Sequence, residues 1–145
     1  MMILPISLTI AAGAALLNLW LAMRVGRVRM SEKVSIGDGG KDNLIRRMRA
    51  HSNYVENTPF VLILLALVEL AYGPSPWLWG AGVLYLVARI LHAFGMDGMG
   101  WGRTAGVLIS MLTQLGLAIA ALAAVYLTPV GITSTSATET VVVER

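Results

Sequence analysis

The chain contains no cysteine. Disulfide staples, thiolate metal sites and a cysteine nucleophile are therefore excluded. Two histidines, His51 and His92, are too few without thiols to build a zinc or iron centre, and no metal is expected. Charge is also scarce: 13% of the 145 residues are charged, against about 25% in an ordinary soluble domain. That scarcity leaves no room for a separate soluble catalytic domain. What fills the chain is apolar, at 57% hydrophobic residues. A membrane-spanning helix takes about 20 of them. The composition suffices for four spans and little else.

The charge that is present is unevenly placed. Of eleven Lys and Arg residues, eight lie between Arg24 and Arg49, where only three acids, Glu32, Asp38 and Asp42, accompany them. Flanked by apolar stretches, this block fits a cytoplasmic loop under the positive-inside bias better than a nucleic-acid patch, and no nucleic-acid partner is expected. The first span covers about residues 3–23 and carries no charge. A signal peptide has its basic residues before the apolar stretch. Here Arg24, Arg27 and Arg29 follow it, which predicts a retained span with its N-terminus outside.

A polar loop over 30–40 leads to Asp42, placed to N-cap a second helix. The second span, about 44–72, opens with Arg46, Arg47 and Arg49 and is broken by Gly73-Pro74-Ser75-Pro76. The third covers about 77–94, the glycine-rich segment 95–102 forms an inner turn, and the fourth runs over about 103–127 to Thr128-Pro129. Residues 1–127 form the membrane domain, and the Ser/Thr-rich 128–145 is read as a disordered outer tail. Backbone in lipid must satisfy its own hydrogen bonds. The predicted fold is an all-α, integral membrane four-helix bundle with both termini outside. The alanine-rich stretches 11–15 and 118–124 offer small residues for close helix contact.

Ionisable and polar groups within spans are costly and mark candidate sites. Arg49, Asn53 and Glu56 are spaced by four and three, which stacks them on one face of the second helix. Arg89 and His92 share a face of the third, Arg103 and Thr104 open the fourth, and Arg24 closes the first. The topology places all of these toward the cytoplasmic ends of their helices, as one polar cup rich in guanidinium groups. Glu69, near the outer end of the second helix, stands apart. Arginine clamps carboxylates bidentately, so the cup suits a small anionic, zwitterionic or peptide-like molecule. Plainer roles stand beside this one. Arg46 and Arg47 are expected to snorkel as interface anchors, and Arg49 with Glu56 could be an ion pair that only fixes packing. Arg89 is too deep to snorkel and is expected to pair with Glu56 or a ligand. His92 taken alone reads as a packing residue, and Pro59 as either a kink shaping the cup or a tolerated membrane proline.

The segment Arg49-Ala50-His51-Ser52-Asn53-Tyr54-Val55-Glu56-Asn57-Thr58-Pro59 carries the pattern Arg-x-x-x-Asn-x-x-Glu followed by proline, opening a second span after a basic loop. It resembles the MAPEG family, the membrane-associated proteins in eicosanoid and glutathione metabolism, over roughly Arg24 to Leu127. The resemblance implies a homotrimer in the lipid bilayer, glutathione bound between subunits near the cytoplasmic face, and, for a bacterial-type member, an inner-membrane location. It casts Arg49, Asn53 and Glu56 as glutathione-binding residues, with polar contacts from Arg89 and His92. It casts Arg24 as the basic residue lent by a neighbouring subunit. Arg103 and Thr104 look like the Arg-Ser pair held to stabilise the glutathione thiolate. Two tyrosines of the eicosanoid-producing members are Met96 and Val107 here, and an arginine of some members is Ser52.

The expected activity is glutathione-dependent transfer to, or peroxide reduction of, hydrophobic electrophiles dissolved in the bilayer. Its rival within the same fold is a non-catalytic glutathione- or lipid-binding protein, which the missing tyrosines favour. A small four-span transporter is a further rival, disfavoured by a first span without an acidic residue.

Overall fold

The computed structural model describes residues 3–127, so the tail expected at 128–145 lies outside the described residues. Four helices follow in chain order: α1 (Pro5–Glu32), α2 (Asp42–Tyr72), α3 (Pro76–Met96) and α4 (Gly100–Tyr126). Each holds a stretch long and apolar enough to cross a membrane. The protein is an all-α, four-span membrane bundle.

Local sequence explains the helix limits. Pro5 and Pro76 occupy first-turn positions, where a fixed φ and a missing N–H do no harm. α1 does not stop where its apolar stretch stops. It continues through Arg24, Arg27 and Arg29, all good helix formers, and ends when Lys33 turns left-handed and its N–H reaches the carbonyls of Arg29 and Met30. Asp42 is not the N-cap of α2: Lys41 holds that position without a side-chain cap bond, and Asp42 is the first helical residue. A carboxylate there still complements the positive helix end. The other loop acid, Asp38, turns inward on the loop and accepts the Gly40 N–H at 2.9 Å.

The inner turn is shorter than 95–102. α3 and α4 are separated only by Asp97 to Met99, because two of the four glycines in that segment, Gly95 and Gly102, serve packing within the helices, as does Gly106 just beyond it. A Cβ at Gly102 would come 3.1 Å from the Leu91 carbonyl oxygen, and one at Gly106 would come 2.6 Å from that of Ala88. Gly95 would collide with the backbone of Arg103 in the same way. Small residues thus bring α3 and α4 together backbone to backbone. They are these glycines rather than the alanines of 118–124, none of which is buried.

α1 pairs with α2 and α3 with α4; α2 also packs against α4 and α1 against α3, and α2 meets α3 across the centre. Ile6, Ile10, Val61, Leu65, Leu78 and Tyr85 form the main core around the end where the chain begins. A second core, Ala14, Leu17, Leu21, Tyr54 and Ala93, lies toward the end that carries the basic loop, called the basic end below. Between these cores and the basic loop the bundle turns polar.

Candidate functional site

A cavity of about 380 Å³ opens at the basic end between α2, α3 and α4. α2 contributes Arg49, Ser52, Asn53 and Glu56, the face its four- and three-residue spacing defines. α3 contributes His92 and Met96, and α4 contributes Arg103 and Val107. His92 is 5% exposed, while Arg49, Ser52, Glu56 and Arg103 are exposed around the mouth. The walls therefore bring two guanidinium groups, one carboxylate, one amide, one imidazole and one hydroxyl to a single space. Among the described residues, none of Arg49, Glu56 and Arg103 belongs to an ion pair. The packing-only Arg49–Glu56 pair considered above does not form. Unpaired charges of both signs around one cavity are what a zwitterionic ligand would meet.

Behind the cavity a layer of buried hydroxyl groups ties the helices together. The Tyr54 hydroxyl donates to the Ala14 carbonyl at 2.6 Å, tying α2 to α1. The hydroxyls of Thr58 and Tyr85 bond at 2.9 Å, tying α2 to α3. Arg89 sits in the same layer and is 2% exposed. It does not pair with Glu56. Its Nη2 donates to Asn53 Oδ1 at 2.8 Å, and its guanidinium lies 5.7 Å from the Tyr54 ring centre. The physical reason is placement: Arg89 is sealed between α2 and α3, whereas Glu56 faces the open mouth.

Besides Arg89, two predicted site residues lie off the cavity wall. Arg24 is buried and forms an ion pair with Asp97, with its guanidinium 4.7 Å from the Trp20 ring centre. It does not line the cavity of its own chain. Arg47, predicted to be an interface anchor, joins the same cluster: its Nε lies 3.5 Å from Asp97 Oδ1, and its Nη1 donates to the Arg24 carbonyl at 3.3 Å. Thr104 opens on an adjoining cavity with Arg46, Gly98 and Gly100. Met96 and Arg103 stand in the wall between the two spaces.

Two acids outside the predicted site have defined partners. Asp97 falls within the glycine-rich segment expected to turn, although an acid directly after an apolar span is itself a signal. Glu69 is 2% exposed and receives the N–H groups of Ile6 and Ser7 at 2.9 and 2.7 Å and the Ser7 hydroxyl at 2.6 Å. It caps the first turn of α1 from another helix, satisfying donors that a helix start leaves free.

Comparison with known proteins adds the following. The model of the MAPEG family matches residues 7–123. The inner membrane protein YecN of Escherichia coli K12 is 33% identical over 91 residues, which cover 62% of this chain and 69% of YecN. YecN of Escherichia coli O6:H1 matches to the same extent.

Proposed function

The chain belongs to the MAPEG family, and from that membership and the geometry of the cup we propose that it is a membrane-bound glutathione-dependent transferase or peroxidase. The carrying observation is the single cavity in which Arg49, Asn53, Glu56, His92 and Arg103 converge from three helices. Glutathione has two carboxylates and one ammonium group, and the cup offers guanidinium groups for the first and Glu56 for the second. Arg103 is the cation assigned to the sulfur. A free thiol has a pKa of about 8.5, and a neighbouring positive charge favours its anion. The thiolate would then attack an electrophile arriving from the bilayer, so that positioning and thiol activation supply the catalysis. Thr104, which lines the adjoining cavity together with Arg103, is the hydroxyl donor assigned to the same thiolate.

The open mouth suits closure by a second copy of the chain, in line with a homotrimer that binds its ligand between subunits. The basic end would face the cytoplasm, and the name of YecN supports the inner membrane as the location.

Titration of glutathione into the purified protein should give binding together with thiolate absorbance. Arg103→Ala should abolish the absorbance while the protein stays folded; unchanged absorbance would remove Arg103 from the mechanism. A second reading, binding without turnover, is favoured by Met96 and Val107, which make the cavity wall beside His92 and Arg103 apolar. Turnover of an aromatic chloride or a lipid hydroperoxide separates the two.

A further inference from the structure

Arg89 is the one cation of the polar layer that a ligand in the cup does not reach. It is 2% exposed and lines no part of the cavity wall. Among the described residues it has no carboxylate partner, and its Nε is buried without a hydrogen bond. Its one side-chain hydrogen bond there goes to Asn53, which does line the cavity. A guanidinium group has only donors. The atom of Asn53 that faces Arg89 must therefore be the carbonyl oxygen, whichever way the amide would otherwise turn. The amide N–H₂ is left over; it has no bond to a described residue and is not among the buried unpartnered atoms.

We propose that Arg89 is a positioning residue that fixes the polarity of the cup by holding Asn53 through Oδ1, so that the amide presents only donors to the cavity. The ligand atom seated there is an oxygen acceptor, a carboxylate or a peptide carbonyl, and an ammonium group is turned away from that wall toward Glu56. The buried positive charge behind the amide also polarises it, strengthening its donors. This inference deepens the glutathione reading and takes the ligand's identity from it.

Asn53→Asp tests the arrangement without removing atoms. The new carboxylate would pair with Arg89 while exposing an acceptor to the cup. Thermal unfolding should then match or exceed that of the unaltered protein, whereas Asn53→Ala, which strands Arg89, should unfold earlier. Calorimetric titration of Asn53→Asp with glutathione should show affinity reduced by about tenfold or more. Full affinity in Asn53→Asp, or destabilisation equal to that of Asn53→Ala, would overturn the proposal. A readout without ligand keeps it separate from the glutathione reading. The side-chain amide resonances of Asn53, assigned by their loss in Asn53→Asp, should move and sharpen toward those of a free amide in Arg89→Gln. Unmoved resonances overturn the proposal even if glutathione binds. Absent glutathione binding to the unaltered protein, with moved resonances, overturns only the ligand's identity.

Discussion

Glu56 and Glu69 stand on the same helix, and the fold treats them in opposite ways. Glu69 is sealed at the far end of α2 and accepts three hydrogen bonds from the start of α1. Glu56 stands exposed at the mouth of the cavity, outside every ion pair of the described residues. The arginines divide in the same manner. Arg24 has Asp97 and the Trp20 ring, whereas Arg49 and Arg103 face open space. A charge in a membrane protein needs a partner. Where the chain supplies a carboxylate or a cap, the residue holds helices together; Arg49, Glu56 and Arg103, left exposed without one, are open to a ligand.

The contrast can be broken most forcefully at Glu69. Glu69→Ala removes a carboxylate and leaves the N–H groups of Ile6 and Ser7 buried without acceptors. With hydrogen bonds to a charged group contributing about 1.5–3 kcal/mol each, and not additively, the loss should be about 3–5 kcal/mol of stability. Glu69→Gln, which keeps an acceptor oxygen, should recover part of it. Denaturation of the purified protein in mild detergent measures both; an Ala variant as stable as the parent would show that α1 needs no cap. The next effect belongs to Asp97, whose removal strands Arg24 and Arg47. Because Asp97 and Arg47 are partly exposed, Asp97→Ala should cost about 1–3 kcal/mol. Adding Arg24→Met should return some of that, since an apolar side chain beside Trp20 and Phe94 no longer needs a carboxylate. A double variant weaker than either single one would refute the assignment.

How far the sequence already carried this division depends on whether a feature is local. The face of Arg49, Asn53 and Glu56 follows from helix periodicity inside one segment, and the spans follow from apolar runs bounded by Gly73-Pro74 and the basic loop. The Glu69 cap and the Arg24–Asp97 pair join residues 62 to 73 positions apart. They appear only once it is known which helix ends lie side by side. The glycines of 95–102 misled because the same residue serves a turn and a close backbone approach, and only packing tells the two apart. Arg103 reaches both cavities and Thr104 only the second, for a reason periodicity does contain. Successive helical residues project about 100° apart, so Thr104 is turned away from the cavity that Arg103 shares with α2.

The smallest expected effect on stability falls where the effect on binding should be large. Glu56→Gln alters a side chain that is exposed and belongs to no ion pair among the described residues. Its stability should stay within about 0.5 kcal/mol of the parent. Its function should not. A carboxylate facing a ligand's ammonium group contributes about 1.5–3 kcal/mol, so glutathione affinity should fall by roughly ten- to a hundredfold. The chemistry of the loss is as informative as its size. Glutathione with its amino group acetylated has no ammonium to recognise, so it should bind the parent and Glu56→Gln alike. If Glu56→Gln instead unfolds like Glu69→Ala, the free glutamate is a structural one whose partner lies in another copy of the chain, and the division between the two ends of α2 disappears.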